Sequence, residues 1–304
     1  MYYTGFADEA GKEISTQIAA TRELGWHHIE ARGLHGSNLS GITDAQFDDL
    51  CGKLAGADIS INCYGSGIAN WSRHPRKEED FVAGKEELLR ALPRMKKLGI
   101  TILRGMSFLA PKDEQPDSPE LESIIFKKMA EFVKLCEDAG VIYGHENCAN
   151  YGGLSNLHTL KLIEAVNSPN FKLIFDTGNP VSTDDYSKPV PHPKQDPWEF
   201  YTNVREHIAY VHIKDAIWDA EKSATVYTFP GEGHGQVVRI VRDLLKNGYD
   251  GGWSIEPHMS HVVHLSSDSD AAKEREMYGN YVQYGKRFMR LMEQARMEVS
   301  GEAA

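Results

Sequence analysis

Four stretches of the chain each end in a residue able to hold a metal ion. They read Tyr143-Gly144-His145-Glu146-Asn147, Leu173-Ile174-Phe175-Asp176-Thr177-Gly178, Tyr210-Val211-His212-Ile213-Lys214-Asp215 and Trp253-Ser254-Ile255-Glu256-Pro257-His258. Glu146, Asp176, His212 and Glu256 are spaced by 30, 36 and 44 residues, each about one strand-and-helix unit. Three carboxylates and one imidazole form a hard, mostly oxygen donor set. The oxygens suit Mn²⁺ or Mg²⁺, and the imidazole also suits Co²⁺ or Zn²⁺. No cysteine joins the set, which argues against a structural zinc site. Four protein ligands on a six-coordinate ion leave room for two substrate oxygens.

Such a site needs four strand ends that converge. Short β-branched or aromatic runs occur at 3–7, 28–31, 59–64, 101–106, 141–147, 172–176, 209–214 and 253–257, each followed by a polar or Gly-rich loop. Helical faces lie between them. Ile125, Met129, Phe132, Val133 and Cys136 share one face before Gly140, and Val237, Val241, Leu244 and Leu245 share another before Gly248. Ile14, Ile18 and Leu24 mark a first helix. Eight strands alternating with helices predict a parallel sheet, and eight units in 304 residues predict a single (β/α)₈ TIM barrel. No G-x-G-x-x-G follows the first strand, so a dinucleotide-binding sheet is disfavoured. The barrel is expected over 1–298, with a flexible tail at 299–304. The long connections 177–194 and 215–235 then lie at the C-terminal face, where barrel active sites form.

Strand alternation tests the proposed ligands. If His212 points inward, so do Tyr210 and Lys214, while Val211 and Ile213 face the helices. If Glu256 points inward, so do Ser254 and His258, and Asp176 takes Ile174 with it. His145 is sent the other way and is expected as a buried structural histidine unless the strand bulges. Arg104 and Lys214 end strands and are candidates for a substrate oxygen or for a structural ion pair. His258 is expected in the pocket. Tyr64 is either a wall of the pocket or core, and Glu232 and His234 belong to a turn near the site or in solvent. Glu30 and Arg32 are expected to pair with each other.

Composition is that of a soluble globular protein, with 41% hydrophobic and 25% charged residues. A net charge of −11 argues against a nucleic-acid partner, since a phosphate backbone would be repelled. Cys51, Cys63, Cys136 and Cys148 form no C-x-x-C pair and read as reduced thiols. No signal peptide or membrane-spanning run is visible, so a cytoplasmic protein with no membrane partner is expected.

Taken together, the chain resembles the xylose-isomerase-like barrel superfamily of sugar isomerases and epimerases. The likeness rests on the Glu, Asp, His and Glu of strands five to eight, on His212-Ile213-Lys214-Asp215, on Pro230-Gly231-Glu232-Gly233 and on Phe6-Ala7-Asp8-Glu9. It implies a Mn²⁺-type ion on Glu146, Asp176, His212 and Glu256. It also implies that Glu146 and Glu256 exchange protons with opposite faces of a ketose or keto-glycoside. AP endonucleases share the barrel but use further histidines on earlier strands, which Ile61-Asn62-Cys63-Tyr64 and Leu103-Arg104-Gly105-Met106 lack. Inosose dehydratases and the catalytic subunits of C-glycoside-cleaving enzymes share it too. They would make the chain a lyase, with His145 as a candidate extra base. A barrel that binds sugar without turnover is a third reading. The resemblance implies a homo-oligomer, or a complex with a small partner subunit seated on the long loops.

Overall fold

The computed structural model describes residues 1–259 and 270–301. Eight parallel strands form one sheet: β1 (Tyr2–Gly5), β2 (His28–Ala31), β3 (Ser60–Gly65), β4 (Ile102–Gly105), β5 (Ile142–Glu146), β6 (Phe171–Asp176), β7 (Ile208–Ile213) and β10 (Gly252–Ile255). Neighbours in sequence are neighbours in space, β10 pairs β1, and a Phe6–Glu30 bridge joins the two remaining edges. The result is a single (β/α)₈ barrel. Its eight strands fall on the eight apolar runs, with ends shifted by a residue or two.

The α-helices among the described residues are α1 (Ile14–Glu23), α2 (Asp44–Ala57), α3 (Glu78–Leu98), α4 (Pro119–Asp138), α5 (Asn156–Val166), α6 (Asn179–Ser182), α7 (Pro197–Val204), α8 (Val237–Lys246) and α9 (Asp270–Ser300). Local chemistry explains where several begin. Thr43 and Gln46 form a capping box on α2, and Ser118 caps α4 ahead of Pro119 at its first turn. The predicted face of α4 is buried throughout, and Gly140 adopts a left-handed φ of 70° just beyond the helix. Ile14 and Ile18 are buried on α1, and Val237, Ile240, Val241 and Leu244 on α8.

The core has two parts. A large cluster fills the layer between sheet and helices and includes Val211, Ile213 and Ile255, the residues alternation sends outward. A small cluster of Cys63, Ile174 and Tyr210 fills the barrel interior. Among the described residues no helix is long and apolar enough to cross a membrane.

Three expectations need correction. The connection 215–235 is not all loop: β8 (Asp215–Asp219) and β9 (Ala224–Thr228) pair as an antiparallel hairpin. β-Branched and aromatic residues such as Ile217, Trp218, Val226 and Tyr227 give that ribbon its strand character. In 177–194, α6 forms and Asp184 bridges Lys194. Glu30 and Arg32 face other partners: Glu30 meets His212 and Ser254, while Arg32 pairs with Asp8, Glu9 and Glu256. At the end of the chain α9 runs through Ser300, and 302–304 of the expected tail lie outside the described residues.

Candidate metal centre

Strands β5, β6, β7 and the end of β10 bring Glu146, Asp176, His212 and Glu256 to one point. One donor atom from each lies within 4.8 Å of all the others, and all four side chains are buried. Backbone geometry aims them. Asp176 Oδ1 accepts from the N–H groups of Gly178 (2.8 Å) and Asn179 (2.7 Å), which turns Oδ2 toward the cluster. Asn147 braces the same strand end, accepting from Asp176 N at 2.6 Å and donating to Asp176 O at 3.0 Å. Asn179 Nδ2 donates to Glu146 Oε1 at 3.1 Å.

His212 is oriented at both nitrogens. Nε2 lies 3.1 and 3.2 Å from the two oxygens of Glu30. A carboxylate only accepts, so Nε2 carries a hydrogen, and Nδ1 is the nitrogen that faces the cluster. Nδ1 makes no hydrogen bond and looks toward Glu256 Oε2 at 3.6 Å and Glu146 Oε1 at 3.9 Å. A buried imidazole nitrogen aimed among three carboxylates, with its far nitrogen held by a fourth, fits a divalent cation well.

Cations of the chain surround the cluster. Arg104 Nε lies 3.0 Å from Glu146 Oε2 and its Nη1 donates to Ser66 O at 2.7 Å. Arg32 reaches Glu256 Oε1 at 3.3 Å. Both guanidinium groups lie over the ring of Phe6, at 4.3 Å for Arg32 and 5.2 Å for Arg104. Gly65 admits that ring, because a Cβ there would fall 2.6 Å from it. Lys214 Nζ bridges Asp176 Oδ2 (3.0 Å) and Glu256 Oε2 (3.1 Å). Burial would discharge this lysine, but the two carboxylates hold its pKa well above the ordinary value. Burial would also raise Glu256, yet Lys214, His258 and His212 hold it well below the carboxylate range. Asp176 is pushed up, with burial the largest cause and Lys214 opposing it.

A cavity of about 480 Å³ opens above the cluster. Glu146, Glu256, Arg104, Lys214 and His258 line it, together with Arg32, Asn179, Tyr227 and Trp71. The indole of Trp71 is 54% exposed at this pocket. His258 touches Glu256 Oε1 at 3.0 Å and Glu9 Oε1 at 3.3 Å. Glu9, Glu256 and His258 form a second compact group, but Arg32 already supplies positive charge there.

Three sequence candidates lie elsewhere. His145 points away from the pocket, as the pleat requires. Its Nε2 contacts Asn150 Oδ1 (2.9 Å) and Ser107 Oγ (3.0 Å), and burial lowers its pKa to about 4, so it is neutral and structural. Tyr64 is buried core, its hydroxyl donating to Glu87 at 2.9 Å. A bulge explains this: β2 steps from Ile61 to Cys63, so Asn62 and Cys63 both turn into the barrel and Tyr64 turns out. Glu232 pairs with Arg287 and lines a separate surface recess against α9.

Residues 18–280 match the xylose isomerase-like TIM barrel family. The chain belongs to that family. A D-psicose 3-epimerase from Clostridium cellulolyticum H10, solved with D-tagatose, superposes with a TM-score of 0.69 at 16% identity, covering 96% of this chain and 99% of that one. A probable 3-DHS dehydratase from Bacillus anthracis gives 0.67 at 15% identity, over 92% and 97%. A xylose isomerase-like TIM barrel protein from Mycobacterium smegmatis, in complex with magnesium, gives 0.65 at 19% identity, over 93% and 89%. These likenesses establish the shared fold. The uncharacterized protein MJ1311 of Methanocaldococcus jannaschii is 25% identical over 161 residues, which span 52% of this chain and about half (48%) of that protein.

The sequence reading placed Glu30 and Arg32 at the mouth but gave them each other as partners, and it missed Asn147, Asn179, Trp71 and Tyr227 as neighbours of the site. For Glu30 and Arg32 the signal was present: both sit at a strand end on the alternation that faces the barrel. Trp71 and Tyr227 carry no such periodicity, because they arrive through a loop and a hairpin.

Proposed function

We propose that this chain is a divalent-metal-dependent sugar isomerase or epimerase acting on a ketose or keto-glycoside. One observation carries the reading. Two glutamates of the Glu146–Asp176–His212–Glu256 cluster open into the same cavity, each with its own arginine. Mn²⁺ is the ion we favour for three carboxylates and one imidazole. The family membership and the magnesium complex of the Mycobacterium smegmatis protein support it.

A bound ion supplies positive charge beside a substrate carbonyl, which acidifies the adjacent C–H. Glu146 and Glu256 are the groups that take a proton from one face of the sugar and return one to the other. Arg104 and Lys214 neutralise the carboxylates between transfers and offer donors to substrate oxygens. Trp71 gives an apolar wall at the rim. An elimination is the second reading, favoured by one contact: His258 beside Glu256 is a further acid that could protonate a leaving group.

The test is proton NMR in D₂O with ketoses, inososes and 3-keto-glycosides, the Mn²⁺ being chelated before spectra are recorded. Deuterium beside the carbonyl with a new epimer or isomer is expected. Deuterium with loss of water or an aglycone supports elimination, and no exchange on any candidate overturns both. Asp176→Ala should fold yet lose metal and exchange; normal turnover by that variant would refute the site.

A further inference from the structure

We propose that Glu30 is the positioning residue that makes His212 a metal ligand, an inference that rests on the metal-site reading above. Glu30 is fully buried at the end of β2, on the side of the imidazole away from the cluster. Both its oxygens face His212 Nε2, and Ser254 Oγ donates to Oε2 at 2.6 Å. The nearest cation in sequence, Arg32, is engaged by Asp8, Glu9 and Glu256, so the Glu30 charge is directed at the imidazole.

The arrangement has a consequence for the ring. Nε2–H is held by an acceptor that cannot donate, so Nδ1 is the nitrogen left to meet an ion once the ring gives up its second proton. The Phe6 and His212 rings pack in a T-shaped pair with centroids 5.0 Å apart, which limits rotation of the imidazole. Phe6 is also the residue whose bridge to Glu30 joins β1 and β2, so barrel closure and ligand orientation depend on the same two residues. A carboxylate hydrogen-bonded to the far nitrogen of a ligating histidine fixes its orientation and strengthens it as a donor. A buried carboxylate with only a packing role would be costly to retain.

The experiment compares wild type, E30Q and E30A by calorimetric titration with Mn²⁺ and with Zn²⁺, alongside thermal melting in EDTA. About 10- to 100-fold weaker binding is expected for E30A, and E30Q, which keeps the shape but not the charge, should fall toward the lower end of that range. If wild type binds and both variants bind within twofold of it, this inference is overturned and the metal site stands. If wild type binds neither ion, the metal reading itself has failed. Should E30A not fold, E30Q carries the same comparison. Long-range ¹H–¹⁵N correlation on the Zn²⁺-loaded wild type gives a readout independent of affinity. The His212 hydrogen is expected on Nε2, and finding it on Nδ1 would overturn the proposal.

Discussion

At the residue scale, His212 decides how the site responds to pH. Burial alone would lower its pKa, but Glu30, with Glu256 and Glu146, raises it to about 10. Without an ion the ring is therefore protonated at neutral pH. Its contribution to stability is complete below the ordinary value of 6.5 and disappears as pH rises through about 10. An ion needs the neutral ring, so affinity should climb with pH up to that point, with about one proton released per ion at pH 7.5. Calorimetry in two buffers of different ionisation enthalpy measures the number; zero release would mean that His212 is not a ligand. Asp176, raised by burial, should add to the release at mildly acidic pH.

Elements differ in what they do for the site. The strands of the barrel carry the candidate ligands, and the additions after β7 shape access to them. Asp215 holds these additions in place. Its Oδ1 accepts from Ala216 N (2.9 Å) and Gly235 N (2.8 Å), and its Oδ2 from Gly231 N (2.8 Å) and Gly233 N (3.0 Å). Gly233 is required there because a Cβ would collide with that carboxylate. The motifs His212-Ile213-Lys214-Asp215 and Pro230-Gly231-Glu232-Gly233 are thus two halves of one structure. Asp215→Ala leaves up to four backbone donors without their acceptor and should cost roughly 3 kcal/mol. Urea unfolding measures this, and a loss below about 1 kcal/mol would contradict it. On β9, Tyr227 reaches the pocket and packs 5.0 Å from His258. Once a substrate is known, Tyr227→Ala should raise KM severalfold while leaving Mn²⁺ affinity unchanged. Equal weakening of both would place Tyr227 in support of the metal ligands instead.

For the whole molecule, the centre ties strands β5, β6, β7 and β10 together at one end of the barrel. An ion that binds only the folded chain adds about 2.7 kcal/mol of stability at one hundred times its Kd. Mn²⁺ should therefore raise the melting temperature by several degrees and EDTA should reverse the rise. Asp176→Ala should melt at one temperature in either condition. A metal response retained by that variant would locate the ion elsewhere.

Periodicity made most of this architecture legible. The side-chain period of a strand is two, so Val211, Ile213 and Ile255 had to face the helices once His212 and Glu256 faced in, and the repeat length set equivalent strand ends side by side. The same pleat kept His145 out of the pocket. Contacts between distant segments were not legible, because alternation says which face a residue occupies and not which partner waits there. Glu30 and Arg32 share a face, yet one turns to His212, 182 residues away, and the other to Glu256, 224 residues away. A single extra residue in β3 turned Tyr64 outward, and a hairpin within an apparent loop delivered Tyr227. The sequence by itself determined the barrel and the convergence of Glu146, Asp176, His212 and Glu256, since both follow from short-range periodicity. Only the tertiary structure decided which charges brace those ligands, since that depends on how the sheet closes and where its register slips.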